Sequence, residues 1–326
     1  MVDPPLIERF RADFTPLWAG IDLPDARLGV AVSGGGDSLA LLLLAQAALP
    51  GRVEAATVDH GLRVAGADEA KLVARYCAQI GVPHAILTVS VAPGNTQGQA
   101  RNARYAALGD WLNQRHLNAL ATAHHVDDQA ETFMMRLNRG SGLAGLSGIR
   151  AIGDAPGVRH PVVRPLLRWR RTELARIVDS FGWSAVDDPS NHDNSFDRVQ
   201  MRKFLADTDW LDVAAIERSA RYLAEANDAI QWAVGREYAE CVATDGDAIS
   251  YAAVRTGLTD TIIRSGVVRA IYRQFDKTLG QAAAADLVAR LHRAEKANIA
   301  GIQADAKVVN GEQVWIFRPE NPRRTG

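Results

Sequence analysis

Short apolar runs alternate with longer amphipathic stretches over the first half of the chain. The apolar runs lie at 28–32, 53–58, 84–89 and 119–122. A helical pattern follows each run. The first begins at Ser38, and the others lie at 67–80, 97–115 and 126–139. Strands that alternate with helices in this way are typical of a mostly parallel sheet with helices on both faces. The pattern therefore predicts a doubly wound α/β fold, in which ligands bind at the carboxyl ends of the strands.

The pattern changes in the second half. Glycines are frequent over 140–157, and a polar stretch at 187–197 precedes a short basic helix. From about residue 211 the chain is predicted to be helical over 216–238, 252–275 and 282–297, with a closing hairpin over 304–317. We therefore expect two domains, a catalytic domain over 1–210 and a smaller helical domain over 211–326 that ends in a β-hairpin.

A glycine-rich turn joins the first predicted strand to the first helix. It reads Ser33-Gly34-Gly35-Gly36-Asp37-Ser38, and glycines let the backbone approach a charged ligand closely. A helix that starts there points free N–H groups and its positive dipole end into the turn, which favours a phosphate. No lysine lies between Gly29 and Glu54, which disfavours a Walker A loop, and the spacing does not fit a dinucleotide fingerprint. A plain tight turn is the alternative.

Two further blocks are suited to nucleotide contact. Asp59 and His60 end the second predicted strand, where they either face a ligand or cap a helix. Arg101, Arg104 and Tyr105 have the spacing that places them on one helix face. That face either contacts phosphates or is a solvated basic surface.

Acidic residues mark the start of the helix predicted over 126–139. Asp127, Asp128 and Glu131 lie in its opening turns, where carboxylates gain from the helix dipole and could bind an ammonium group. The alternative, which is common, is that these acidic residues only mark the start of a helix and bind no ligand. His124 and Asp128 could also ligate a metal, but neither a cysteine nor a third clear ligand accompanies them.

Composition narrows the class of protein. The 326 residues carry a net charge of -1, which neither indicates nor excludes a polyanionic partner. Cys77 and Cys241 lie far apart, so a disulfide framework and a CxxC zinc site are unsupported. The N-terminus has no apolar signal core, and the longest apolar run, 39–49, is too short to span a bilayer. A cytoplasmic protein without a membrane segment is expected.

The glycine loop resembles the PP-loop of the N-type ATP pyrophosphatases. The blocks VDHGLR, QARNARYAAL, HHVDDQAETFMMRLNRGSGLAGLSG, RPLL and DPSN follow it in order. As an ordered set they are similar to those of tRNA(Ile)-lysidine synthetases, over about 28–202 and into the helical domain. The resemblance implies an adenine nucleotide alpha-hydrolase-like fold. It also implies ligation of free L-lysine to C2 of the wobble cytidine of the CAU-anticodon isoleucine tRNA. The route is an ATP-derived adenylated cytidine, with AMP and pyrophosphate released.

The resemblance also implies roles for the matched residues. Ser33, Gly34, Gly35, Gly36, Asp37 and Ser38 would bind the ATP phosphates, with Asp37 also holding Mg²⁺, and Asp59 and His60 would lie near the adenosine. Asp128 and Glu131 would orient the lysine, Asp127 would assist Mg²⁺ or deprotonate the amine, and Arg101 would act in catalysis. The residues that would contact the tRNA or the nucleotide are Arg104, Arg136, Arg139, Arg198 and Arg202. The helical domain would contact tRNA, and the protein would be a monomer or a homodimer.

Two points qualify the resemblance. Val199 stands where the family usually has asparagine after Arg198, and longer members carry a further C-terminal domain. Two groups of residues are candidates for RNA contact. The first is Arg159, Arg164, Arg168, Arg170 and Arg171, with Trp169 as a stacking ring; the second is Arg255, Arg264, Arg269 and Arg273.

Three rival functions are disfavoured by the sequence. A tRNA thiolase typically needs several cysteines, and small-molecule ligases such as NAD or GMP synthetases do not fit the blocks after Glu131. In a non-catalytic binding module we would expect the glycine loop to lack some of its polar residues, whereas Ser33, Asp37 and Ser38 are all present.

Overall fold

The chain divides into two compact units, Met1–Tyr222 and Leu223–Gly326. The structure, a computed structural model, describes residues 1–18, 20, 23–59, 64–89, 97–186, 193, 196–253, 260–309 and 312–320. The domain boundary predicted at 210 precedes the division between the units. Within the described residues, no helix combines the length and the apolar character needed to cross a membrane.

A six-stranded sheet forms the centre of the first unit. Its strands are β1 (Leu28–Ala31), β2 (Val53–Asp59), β3 (His84–Thr88), β4 (Ala119–Ala121), β5 (Ile152–Ala155) and β6 (Val158–Val163). Their order across the sheet is β3-β2-β1-β4-β6-β5. All neighbouring pairs are parallel except β5 and β6, which are antiparallel. The predicted mostly parallel sheet is confirmed.

Helices cover both faces of this sheet. The helices of this unit are α1 (Pro4–Phe14), α2 (Gly36–Ala48), α3 (Val64–Gln79), α4 (Gln97–Arg115), α5 (Val126–Asn138), α6 (Leu143–Leu146), α7 (Arg171–Ser180) and α8 (Asp197–Ala206). One core includes Leu28 and Val30 with the apolar side chains of α1, α2 and α7. A second core packs Leu120 and Val162 against Trp111 of α4. Because successive strand residues face opposite sides, both faces are buried, as a doubly wound fold requires.

The second unit contains more sheet than its sequence predicts. Helix α9 (Val213–Cys241) crosses the division, and the unit adds α10 (Asp260–Gln274) and α11 (Gln281–His292). Its strands are β7 (Val242–Asp245), β8 (Ala248–Ala252), β9 (Ala297–Ile299), β10 (Ile302–Val309) and β11 (Glu312–Pro319). They form an antiparallel sheet in the order β7-β8-β11-β10-β9. The predicted hairpin is β10 and β11, and its turn residues, 310 and 311, lie outside the described residues. Strands β7, β8 and β9 were not predicted, because polar residues interrupt each of them, unlike the apolar runs that form β1 and β4.

Candidate active site

The glycine loop connects β1 to α2 and is held by hydrogen bonds within itself. The Ser38 hydroxyl donates to the Gly35 carbonyl oxygen at 2.8 Å and accepts from the Ser33 N–H at 3.1 Å. Gly35 is the N-cap of α2, so the backbone N–H groups of Gly36 and Asp37 have no acceptor within the helix. These groups and the helix dipole make the loop a site for phosphate.

Gly34 has a backbone conformation that favours glycine. Its φ is +89°, and a Cβ built on it would lie 2.9 Å from Cγ2 of Val186. The Val186 N–H also donates to the Gly34 carbonyl oxygen at 2.9 Å, which fixes the loop against the chain that follows α7. The loop is therefore shaped by residues far apart in the sequence.

A Gly34→Ala variant is expected to lose about 1–3 kcal/mol of unfolding free energy, because alanine is strained at this φ. Gly36→Ala is the matched control, since its Cβ would meet Ala185 at an ordinary 3.7 Å. Gly36 also lies inside the helix, where alanine is favourable. Chemical unfolding without nucleotide measures both. Equal losses would contradict the backbone explanation.

His125 follows strand β4, and the carboxylates of three aspartates lie close to its ring. It is the N-cap of α5 and is 3% exposed. Its Nε2 lies 3.3 Å from Oδ2 of Asp37 and 3.6 Å from Oδ2 of Asp128, and its Nδ1 lies 3.4 Å from Oδ2 of Asp127. Burial lowers the pKa of His125, but the carboxylates of Asp127, Asp37 and Asp128 outweigh burial and raise it to about 10. The contact with Asp37 connects the glycine loop to the acidic start of α5.

Asp127 is bound on both oxygens. Its Oδ1 accepts from Nη2 of Arg170 at 3.1 Å, and its Oδ2 accepts from the backbone N–H of Arg171 at 2.9 Å. Burial raises the pKa of Asp127, but His125 and these two partners outweigh burial and hold it well below its usual range. A carboxylate with so low a pKa is a weak base.

Asp128 has a lighter set of contacts. Its Oδ2 accepts from the backbone N–H of His125 at 3.1 Å, which caps α5. The side chain is half-buried, unlike that of Glu131 one turn later. Asp128 is thus the carboxylate of this helix best placed to meet a substrate.

Glu131 is 2% exposed and binds two arginines of α8. Nε of Arg202 donates to its Oε1 at 2.7 Å, and Nε of Arg198 lies 3.2 Å from its Oε2. Arg198 also donates to the Thr132 hydroxyl at 2.8 Å. Val199, which replaces the family's asparagine, is buried on the same helix. These contacts hold α8 against α5 and occupy the carboxylate that was predicted to orient lysine.

The remaining predicted arginines differ in their surroundings. Nη1 of Arg136 donates to the carbonyl oxygens of Gly145 and Gly148 at 2.7 and 3.0 Å, which fixes the glycine-rich segment. Arg139 forms an exposed ion pair with Asp197 at 2.5 Å. Arg101 and Arg104 are both exposed on α4. Arg101 stacks on the ring of the buried Tyr105, with its guanidinium carbon 4.9 Å from the ring centroid.

Sequence and fold comparisons extend over most of the chain. A family model described as a PP-loop domain matches residues 7–208. The tRNA(Ile)-lysidine synthase of Zymomonas mobilis is 40% identical over 304 residues, which are 91% of this chain and 90% of that protein. The chain belongs to the tRNA(Ile)-lysidine synthase family. The synthase of Novosphingobium aromaticivorans is 49% identical over 230 residues, 70% of this chain and 69% of its own. Among solved structures, the U34-tRNA thiolase NcsA from Methanococcus maripaludis has a similar fold, with a TM-score of 0.56 and 18% identity. The match covers 68% of this chain and 78% of that one.

Three residues that were predicted to contact RNA are buried, so the prediction of a surface contact is wrong for them. Trp169 is 0% exposed, and its Nε1 donates to Oδ2 of Asp13 at 2.9 Å. Arg164 and Arg264 are buried in the first and second unit respectively. His60, the block at 187–191 and Arg255 lie outside the described residues, whereas Asp59 ends β2 as predicted.

The sequence places His124 and His125 at a strand end, where they could meet the glycine loop in one crevice, but it assigns no role to His125. The pair His124-His125 at a strand end was a signal, but nothing local indicates that the second histidine contacts an aspartate 88 positions earlier. The two histidines also differ in charge. Burial lowers the pKa of His124 to about 4, so it is neutral beside the cationic His125.

The donor set at the loop fits Mg²⁺. Within the described part of the chain, no three His, Cys, Asp or Glu side chains form a complete metal site. Mg²⁺ is commonly held by one or two carboxylates together with substrate phosphates. Asp37 offers such a carboxylate in the first turn of α2, beside the loop N–H groups.

Proposed function

We propose that this enzyme ligates free L-lysine to C2 of the wobble cytidine in the CAU-anticodon isoleucine tRNA. The observation that carries the proposal is the contact between Asp37 of the glycine loop and His125 of α5. It brings a phosphate site and an acidic site into one crevice, where an activated base could meet an amine. Family membership supports the choice of tRNA and of lysine.

The first step adenylates the base. The cytosine O2 attacks the α-phosphate of ATP, the bond to the β-phosphate breaks, and pyrophosphate leaves. The loop N–H groups and the Ser33 hydroxyl stabilise that leaving group, while the Ser38 hydroxyl holds the loop in shape. Asp37 would hold Mg²⁺, which neutralises phosphate charge when bound.

The second step transfers lysine. Its ε-amine attacks C2, and the bond from C2 to O2 breaks with release of AMP. The amine must be neutral to attack, although free lysine is protonated at pH 7. A carboxylate must therefore take a proton. Asp128 is assigned this role, because Asp127 is a weak base and Glu131 is bound by Arg198 and Arg202.

Sulfur transfer, the chemistry of the structurally similar thiolase, has less support. Cys77 is buried in α3, and burial raises the pKa of its thiol to about 12. A protonated, inaccessible thiol does not carry sulfur. Cys241 lies at the other end of the sequence, on α9 of the second unit.

Mass spectrometry tests the proposed function. The enzyme is incubated with ATP, isotope-labelled lysine and a CAU-anticodon isoleucine tRNA transcript. A labelled mass gain at the wobble nucleotide is expected, with no gain when lysine is omitted or when that cytidine is replaced by uridine. Pyrophosphate release without any incorporation of lysine would contradict the proposal.

A further inference from the structure

Arg164 is a buried cation directly after β6. It is 7% exposed, and its backbone N–H donates to the Ala151 carbonyl oxygen at 2.9 Å. Its Nη1 donates to the carbonyl oxygens of Arg150 and Val162 at 2.8 and 3.4 Å, while its Nε is buried without a hydrogen-bond partner. Proteins seldom bury a guanidinium unless an opposite charge accompanies it.

That opposite charge is absent from the described residues around Arg164. No described carboxylate lies within 4.0 Å of it or of Arg101, whose guanidinium donates to the Tyr105 hydroxyl at 3.5 Å. Burial lowers the pKa of Arg164, and the Tyr105 hydroxyl opposes that effect. Burial is the main cause that lowers the pKa of His124; the charges of Arg164, Arg101 and Arg198 lower it further, whereas the Asp128 carboxylate raises it. Arg164 and Arg101 thus lie near both His124 and Asp128, and no described carboxylate forms an ion pair with either arginine.

The sheet order places this charge on the side of the acceptor. β1 adjoins β4, and β4 adjoins β6. The glycine loop follows β1, Asp128 lies just after β4, and Arg164 follows β6. A triphosphate on the glycine loop therefore has the acids of α5 between it and Arg164. Arg164 is therefore suited to bind an anion other than that triphosphate.

Lysine has the matching charges. Its ε-amine, which reacts, suits a carboxylate, and its α-carboxylate suits a guanidinium. We infer that Arg164, with Arg101 beside it, binds the α-carboxylate of the lysine substrate while Asp128 receives the ε-amine. This inference rests on the proposed function and makes Arg164 a determinant of acceptor specificity.

The test compares lysine with cadaverine, which has the same amine but no carboxylate. Wild-type enzyme is expected to prefer lysine in kcat/KM. Arg164→Gln should lower kcat/KM for lysine about 10–100-fold, mainly through KM, since a charged hydrogen bond is lost. Its kcat/KM for cadaverine should stay within about twofold of the wild-type value, because cadaverine has no carboxylate for Arg164 to bind. Arg176→Gln, a change at an exposed arginine of α7, should alter neither activity.

Further arms separate the possible outcomes. tRNA-dependent pyrophosphate release without lysine shows that a variant is folded and binds ATP. Arg164→Met, of similar length, gives the same readout if the glutamine variant does not fold, because methionine introduces no unpaired polar group in the interior. An unchanged preference for lysine in a folded variant would overturn the inference. So would wild-type enzyme that uses both amines equally, or a variant that loses only tRNA affinity, which would assign Arg164 to an RNA phosphate. Wild-type enzyme that modifies no tRNA would instead refute the proposed function.

Discussion

An Asp128→Asn variant is expected to release pyrophosphate in a tRNA-dependent reaction while transferring lysine on the order of 10²–10⁴-fold more slowly. Asparagine keeps the oxygen that accepts the His125 N–H at 3.1 Å, so the helix cap survives. What is lost is the carboxylate that takes the proton from the amine. Single-turnover kinetics that follow pyrophosphate and lysidine separately would resolve the two steps.

The pH dependence of this variant sharpens the expectation. Free lysine has a side-chain pKa of about 10.4, so raising the pH from 7 to 9 increases its neutral form roughly a hundredfold. The Asp128→Asn variant should therefore recover part of its transfer rate at pH 9, relative to wild type at the same pH. Asp127→Asn serves as the comparison. A selective loss of transfer in Asp127→Asn with normal transfer in Asp128→Asn would move the base to Asp127.

A Trp169→Ala variant is expected to lose about 3–5 kcal/mol of unfolding free energy. The indole is fully buried, packs under Arg9 with 4.0 Å from the guanidinium carbon to the ring centroid, and donates to Asp13. Its removal leaves a cavity and an acceptor on α1 without its partner. Denaturant unfolding followed by far-UV circular dichroism measures the loss.

Trp210 is the matched control for Trp169. It is 82% exposed, so Trp210→Ala should stay within about 0.5 kcal/mol of wild type. If Trp169 were instead a ring that stacks on RNA, its removal would weaken tRNA binding and leave stability unchanged. Equal stability of the two variants would contradict the packing that the structure shows.

The first unit could be predicted largely from local pattern. Strands β1 to β4 and the helices between them are encoded by contiguous apolar runs and amphipathic stretches, and the glycine loop by six adjacent residues. Burial on both faces makes these signals strong. The antiparallel strands β7 and β9 contain polar residues and give no such local signal, and their stability depends on partners elsewhere in the chain.

Contacts between distant residues set the limits of prediction at the site. Glu131 and Arg202 are 71 positions apart, and only the fold shows that this carboxylate is already bound. Likewise Arg164 and Trp169 lie in a stretch with many arginines, which indicates an exposed surface by composition, yet both side chains are buried. Local sequence names the residue types of the site, and tertiary packing decides which of them can meet a substrate.

The hydrogen bond from the Val186 N–H to the Gly34 carbonyl oxygen offers a way to observe the loop from outside it. Exchange of that amide proton with solvent requires the bond to open. A nucleotide that rigidifies the loop should slow this exchange, while the amides of β10, in the second unit, serve as the reference for unchanged rates. The exchange rate of the Val186 amide proton thus reports, without an added label, whether a nucleotide occupies the glycine loop.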